Sequence, residues 1–110
     1  MKPTVWLILL CGCGAPPQVP CPDGGTALTY DNFGRDFLAR HCDRCHSASA
    51  VDREGAPTEI HFDSRVETAH WGDRIYARAA AENVSMPPGP NDPPRAERDR
   101  LAEWLACGAP

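Results

Sequence analysis

Cys42-Asp43-Arg44-Cys45-His46 brings two thiols and an imidazole together in five consecutive residues. Thiols three positions apart lie on one face of a helical turn, where both can bond the vinyl groups on one side of a macrocycle. The histidine that follows brings an imidazole beneath the ring, within reach of its iron. The run therefore reads as a site of covalent haem attachment, with Cys42 and Cys45 as thioether residues and His46 as proximal ligand. Half of a zinc site and a dithiol redox pair are the competing uses of the same residues. A structural zinc site wants four ligands, usually with a second Cys/His pair at short spacing, and no such pair follows. A thioredoxin-like dithiol would sit near a βαβ pattern, which the chain lacks.

A second axial ligand must come from Met86, His41, His61 or His70. Met1 belongs to the N-terminal segment treated below, so Met86 is the only other methionine. It stands directly before Pro87-Pro88-Gly89-Pro90, a run that cannot be helical and has little freedom to move. A stiff loop keeps a weak thioether ligand on the iron without entropic loss, so the ligand reading is preferred over Met as core filler. His41 precedes Cys42 on the delivering helix and is expected to point away from the iron. His61 and His70 read as surface or packing residues; as distal ligands they would give a bis-His haem of much lower potential.

The delivering helix is visible as Tyr30, Phe33, Phe37 and Leu38, an i, i+3, i+7, i+8 stripe. Thr29 or Asp31 can cap its start, and it is expected to run from about Asp31 to near Arg44. Gly34 inside it costs about 1 kcal/mol relative to Ala. Either the close approach of another helix or an exposed turn would explain it. Residues 47–63 read as a loop, with Gly55 and Pro57 as breakers. Pro57 is either a plain loop proline or a marker of a nearby carbonyl that accepts the His46 Nδ1–H and orients the ring. Residues 64–83 form one broken helix or two short ones, with the break at Gly72 and Asn83 as a left-handed cap. Asp92 can cap a last helix that has Pro93 at its first position. Leu101, Trp104 and Leu105 give that helix its apolar stripe, and Gly108 stops it just past Cys107.

A chain of 110 residues with 42% hydrophobic content and 12 prolines makes one small domain with a thin core. Such domains often need a metal, a disulfide or a buried cofactor as a staple. A net charge of −4 and no basic stripe argue against nucleic acid, and point to basic or neutral redox partners. Met1 to Cys13 looks like an export signal, with Lys2 followed by the apolar run Val5 to Leu10, too short to span a bilayer. Leu10-Cys11-Gly12-Cys13 is similar to a bacterial lipobox with Cys13 as the lipidated residue, the alternatives being ordinary cleavage a few residues later or a retained anchor. Residues 14–25 are rich in Pro and Gly and read as a tether. The chain thus divides into an export signal (1–12), a lipidated cysteine with its tether (13–29) and a domain (30–110). Cys21 and Cys107 are left over, and in an oxidising compartment an even remainder suggests a disulfide, the alternative being two free thiols.

From about Tyr30 to Leu105 the chain resembles class I c-type cytochromes. In that family a glycine and a bulky apolar residue lie eight and four positions before the first haem cysteine, as Gly34 and Leu38 do here. The family's last helix carries an aliphatic, an aromatic and an aliphatic residue, similar to Leu101, Trp104 and Leu105. Gly55-Ala56-Pro57 resembles the family's Gly-Pro with one residue inserted, and Met86 matches its distal methionine. The lipobox and the Cys21/Cys107 pair resemble features of cell-envelope lipoproteins. The resemblance implies an all-α fold wrapped around one haem c, with first and last helices crossed and the glycine admitting the aromatic ring. It also implies a monomeric one-electron carrier with an exposed haem edge, held by its lipid anchor on the periplasmic side of a bacterial membrane and meeting redox proteins. A haem sensor or peroxidase-like module, in which a small ligand displaces Met86, is the alternative.

Overall fold

The computed structural model describes residues 18–90 and 92–110. The expected export signal, Cys13 and the first part of the tether lie outside the described residues. Within them every regular element is helical and there is no strand, as an all-α fold requires. The elements are a π-helical turn, Tyr30–Gly34, followed by α1 (Arg35–His41), α2 (Asp43–His46), α3 (Arg65–His70), α4 (Gly72–Ala79) and α5 (Arg95–Ala106). No helix among the described residues is long and apolar enough to cross a membrane.

Thr29 starts the first helical segment through a capping box. Its hydroxyl accepts from Asn32 N (3.1 Å), and its own N–H donates to Asn32 Oδ1 (2.7 Å). The segment is not the single helix expected from Asp31 to Arg44. The Thr29 carbonyl accepts from both Phe33 N (3.0 Å) and Gly34 N (3.1 Å), which widens the opening turn by one residue. A second interruption falls at Cys42, whose backbone (φ −123°, ψ −42°) leaves the helical region. The Cys42 carbonyl then accepts from Cys45 N (3.2 Å) and His46 N (2.9 Å), so the thiol–imidazole run forms its own short turn.

The segment 64–83 is two helices, broken around Trp71 and Gly72, with Ser64 Oγ accepting from Glu67 N at the start of α3. The left-handed residue after α4 is Ala81 (φ 54°) rather than Asn83. Ala81 is buried and its N–H donates to the Arg98 carbonyl (3.0 Å), while the Asn83 side-chain amide donates to the Tyr76 carbonyl (3.0 Å). The last helix also begins later than expected. Pro94, in extended conformation, is its N-cap residue, with no side-chain cap from Asp92, and Pro93 lies buried outside it. Its end is as expected: Gly108 (φ 87°) gives its N–H to the Leu105 carbonyl (3.0 Å), and Ala109 N–H reaches the Trp104 carbonyl (2.9 Å), a Schellman motif.

Phe33, Phe37 and Leu38 pack with Ile75, Tyr76 and Ala79 of α4 and with Leu101, Trp104 and Leu105 of α5 in one core. The centre is the contact between Gly34 and the fully buried Trp104. A methyl group at position 34 would overlap ring atoms Cζ2 and Cη2, so the glycine is there because an indole occupies the space of its side chain. Phe33 meets the same ring edge-on, centroids 5.9 Å apart.

The described part of the tether is not a free spacer. Val19 N–H donates to the Tyr76 hydroxyl (2.8 Å), Gln18 Nε2 to Asp73 Oδ1 (3.0 Å), and Thr26 Oγ1 to Glu103 Oε1 (2.6 Å). Cys21 and Cys107 form a disulfide that closes this segment onto the end of α5.

Candidate functional site

Cys42, Cys45, His46, Pro57 and Met86, the five residues expected to surround haem, all line one cleft of 490 Å³. The volume suits a cofactor-sized group. The first three come from the break after α1 and from α2. Pro57 belongs to the loop that follows, and Met86 to the Pro-rich segment between α4 and α5. Ile60, Phe62, Ile75 and Ala79 provide apolar wall, while Arg40, Arg44, Arg53, Arg74 and Arg78 contribute guanidinium groups.

Cys42 and Cys45 are free thiols. Burial pushes the Cys42 thiol up to about 12, with the Asp43 carboxylate adding to the effect and Arg98 opposing it. Cys45 is raised too, by burial and then by Glu54, whose Oε2 lies 3.7 Å from its sulfur. Both thiols are therefore protonated at neutral pH rather than poised as thiolates.

His46 has the opposite shift. Burial lowers its pKa, so the ring is neutral at pH 7. Its Nδ1 lies 3.4 Å from the Ile60 carbonyl. A carbonyl only accepts, so this pairing puts the proton on Nδ1 and leaves the Nε2 lone pair free for a metal. The acceptor is three residues beyond Pro57, whose own carbonyl instead accepts from Arg53 Nη2 (2.8 Å) and Ile60 N (3.2 Å). Phe62 stacks on the imidazole, centroids 4.8 Å apart and planes 25° from parallel, and its N–H donates to the His46 carbonyl (2.8 Å).

Two arginines hold the frame, and neither stands out in the sequence. Arg53 donates to the carbonyls of Ser47 (2.6 Å), Ala56 (3.3 Å), Pro57 (2.8 Å) and Ile60 (3.3 Å), folding the loop back toward His46. Arg98, 2% exposed, sends Nη1 to the carbonyls of Ala79 (2.8 Å), Asn83 (2.9 Å) and Met86 (2.8 Å). Met86 N–H donates to the Arg78 carbonyl (2.8 Å), so both backbone polar groups of Met86 are fixed while its side chain stays open at the cleft. A lone arginine in a loop, or one at an i−3 position to a core leucine, gives no signal that separates it from a solvated charge.

The other histidines are placed differently. His41 touches the cleft but turns Nε2 toward Glu97 Oε2 (3.4 Å). His70 lies edge-on to Trp71, and His61 sits between Asp63 and Glu67; neither lines the cleft. The donor set that does converge is two protonated thiols, a neutral imidazole and a thioether in a partly apolar recess. It fits a covalently attached haem, with Cys42 and Cys45 for attachment and His46 and Met86 for the iron.

No family model matches the chain, and neither a curated protein nor a solved structure does. The class of protein therefore rests on the residues themselves.

Proposed function

We propose that the chain is a mono-haem c-type cytochrome, a one-electron carrier of the bacterial cell envelope with His46 and Met86 as axial ligands. The observation that carries this reading is the convergence of Cys42, Cys45, His46 and Met86 on one cleft from segments forty residues apart in the chain. When bound, haem supplies a one-electron iron couple, and a thioether ligand raises its potential relative to a second histidine. The chain's part is to bind and orient. Cys42 and Cys45 offer their thiols, Ile60 fixes the His46 tautomer, and Arg98 and Arg78 hold the backbone of Met86. The guanidinium groups around the cleft suit the carboxylates that haem carries at its edge. A haem-wrapping fold with crossed terminal helices, packed at Gly34 and Trp104, belongs to the same proposal. So do export, a lipid anchor at Cys13, and docking with redox proteins.

A pyridine haemochrome assay on the purified protein tests the cofactor directly. Absence of a haem c signal ends this reading and leaves a Cys/His metal module. The alternative is a small-ligand sensor or peroxidase-like module in which Met86 leaves the iron. The native ferric spectrum separates the two. A carrier is low-spin and becomes high-spin in Met86→Ala, whereas a sensor is already high-spin with Met86 present.

A further inference from the structure

We propose that Arg53 is a positioning residue for His46: it shares the Ile60 carbonyl with the imidazole and so limits how strongly that ring donates to iron. Its effect at the metal rests on the haem reading above, whereas the contact stands on the chain's own geometry. Arg53 Nη2 lies 3.3 Å from the Ile60 oxygen, and His46 Nδ1 lies 3.4 Å from the same atom. Both separations exceed the common range of about 2.7–3.2 Å for an N–H···O bond, as expected where two donors divide one acceptor. A carbonyl has two lone pairs, so both contacts are allowed. The guanidinium, being charged, is the stronger donor, and it leaves the oxygen a poorer acceptor for the neutral imidazole.

Three other carbonyls hold the guanidinium against that oxygen. Arg53 Nη1 donates to Ser47 (2.6 Å), Nε to Ala56 (3.3 Å), and Nη2 also to Pro57 (2.8 Å). Ser47 directly follows His46, so one side chain spans from the ligand's own turn to the loop that supplies its acceptor. The acceptor keeps its place by other means. Ile60 N donates to the Pro57 carbonyl (3.2 Å) and Phe62 N to the His46 carbonyl (2.8 Å), and neither bond uses Arg53. What Arg53 controls is therefore the second lone pair of the Ile60 oxygen.

A hydrogen bond from Nδ1–H makes an imidazole a more basic ligand, and such bonds are one lever on a haem potential. A stronger imidazole donor favours the ferric ion. By weakening that bond, Arg53 holds the couple higher, in the same direction as a Met86 thioether.

The competing account makes Arg53 a staple of the loop and nothing more. Arg53→Met and Arg53→Lys decide between them. The lysine keeps the charge, but its three donors cannot serve four carbonyls, and the Ser47 carbonyl, nearest in the parent, holds the variant's loop. Proton spectra edited by 15N, recorded on the reduced full chain as purified, should show the His46 Nδ1–H resonance farther downfield in both variants. Potentiometry should show the reduction equilibrium lowered about threefold to tenfold in both, which is about 30–60 mV for a one-electron couple. A lower melting temperature with an unmoved resonance leaves only the staple and overturns the proposal. So does a Lys variant at the parent's potential beside a lowered Met variant, since charge alone then acts. If a pyridine haemochrome assay finds no haem, the reading above fails, while the resonance still supports or overturns the shared carbonyl.

Discussion

Arg98 places a nearly inaccessible guanidinium under the turn that carries Met86, and three backbone carbonyls share its Nη1. Arg98→Met leaves those carbonyls without a donor but also removes a buried cation. The net loss should be about 1–3 kcal/mol in urea unfolding. In the haem-loaded protein it should also raise the high-spin fraction, which Arg98→Lys restores in part; an unchanged spectrum would show that Met86 is held by its proline neighbours alone. Asp43 makes a pH-dependent contribution. Burial, and then the charge of Asp63, raise its carboxyl from 3.8 to about 6. A raised carboxyl binds its proton more tightly in the folded state. Stability is therefore greatest below the unfolded pKa and falls as pH climbs through about 4 to 6, then stays at the lower level. Asp63 is held low by Ser47 and Ala48 and titrates below this window. Asp43 is partly open to solvent, and water screens much of this effect on stability. Asp43→Asn should be more stable than the parent by about 1 kcal/mol at pH 7 and by nothing at pH 4, measured by urea unfolding at both. Identical pH profiles would refute the assignment. At this scale the sequence discloses Cys42, Cys45 and His46 because the chemistry is local, and Met86 because alternatives run out. Arg53, Arg98 and Phe62 act through carbonyls and ring faces of residues far along the chain, which no local pattern records.

The contact between the opening π turn and α5 carries the packing of the elements. Gly34→Ala must displace the Trp104 ring, at a cost of about 1–3 kcal/mol even after the helix gains about 1 kcal/mol from losing a glycine. The same change in a Trp104→Leu background meets no ring and should be neutral or stabilising. A double-mutant cycle by thermal or urea unfolding reads the coupling, and additive effects would mean that the two residues do not compete for space. The apolar stripes of the first and last helices are readable from periodicity, since a buried face repeats every turn whatever lies against it. The element boundaries are not. The widened turn at Gly34 and the left-handed Ala81 each meet a partner elsewhere, the Trp104 ring and the Arg98 carbonyl, while the exit of Cys42 from helix accompanies the separate turn around the thiols. Pro94 overrides Asp92 for a simpler reason. Pro93 is taken up by the buried neighbourhood of Arg98, whose Nε donates to its carbonyl (3.3 Å), so the helix starts after it.

Across the whole molecule, net charge and chain ends matter more than any one element. A total of −4 describes the chain but not the cleft, where five of the arginines gather, two of them, Arg40 and Arg44, paired with carboxylates. The two ends of the described domain are bound to each other. The Pro110 carbonyl accepts from Tyr30 N (2.7 Å) and Trp104 Nε1 (3.2 Å), and the Cys21–Cys107 bond, between residues 86 apart in the chain, ties the preceding segment to the end of α5. Sequence predicts that pairing from compartment and leftover cysteines, but not that residues 18–26 lie along α4 and α5 before reaching it. A loop of this length restricts the unfolded chain by about 4–5 kcal/mol on the entropy model, an upper figure that residual structure in the unfolded state reduces. Cys21→Ser with Cys107→Ser should therefore lower stability by about 2–5 kcal/mol and the melting temperature by at least about 10 °C. Neither cysteine lines the cleft, so the folded variant's absorption spectrum should match the parent's at low temperature. Hydrogen exchange should quicken first at Val19, whose N–H depends on the Tyr76 hydroxyl, because the segment is then held by hydrogen bonds alone. A variant that melts with the parent would mean that the polar contacts of residues 18–26 suffice to close the domain without the covalent bond.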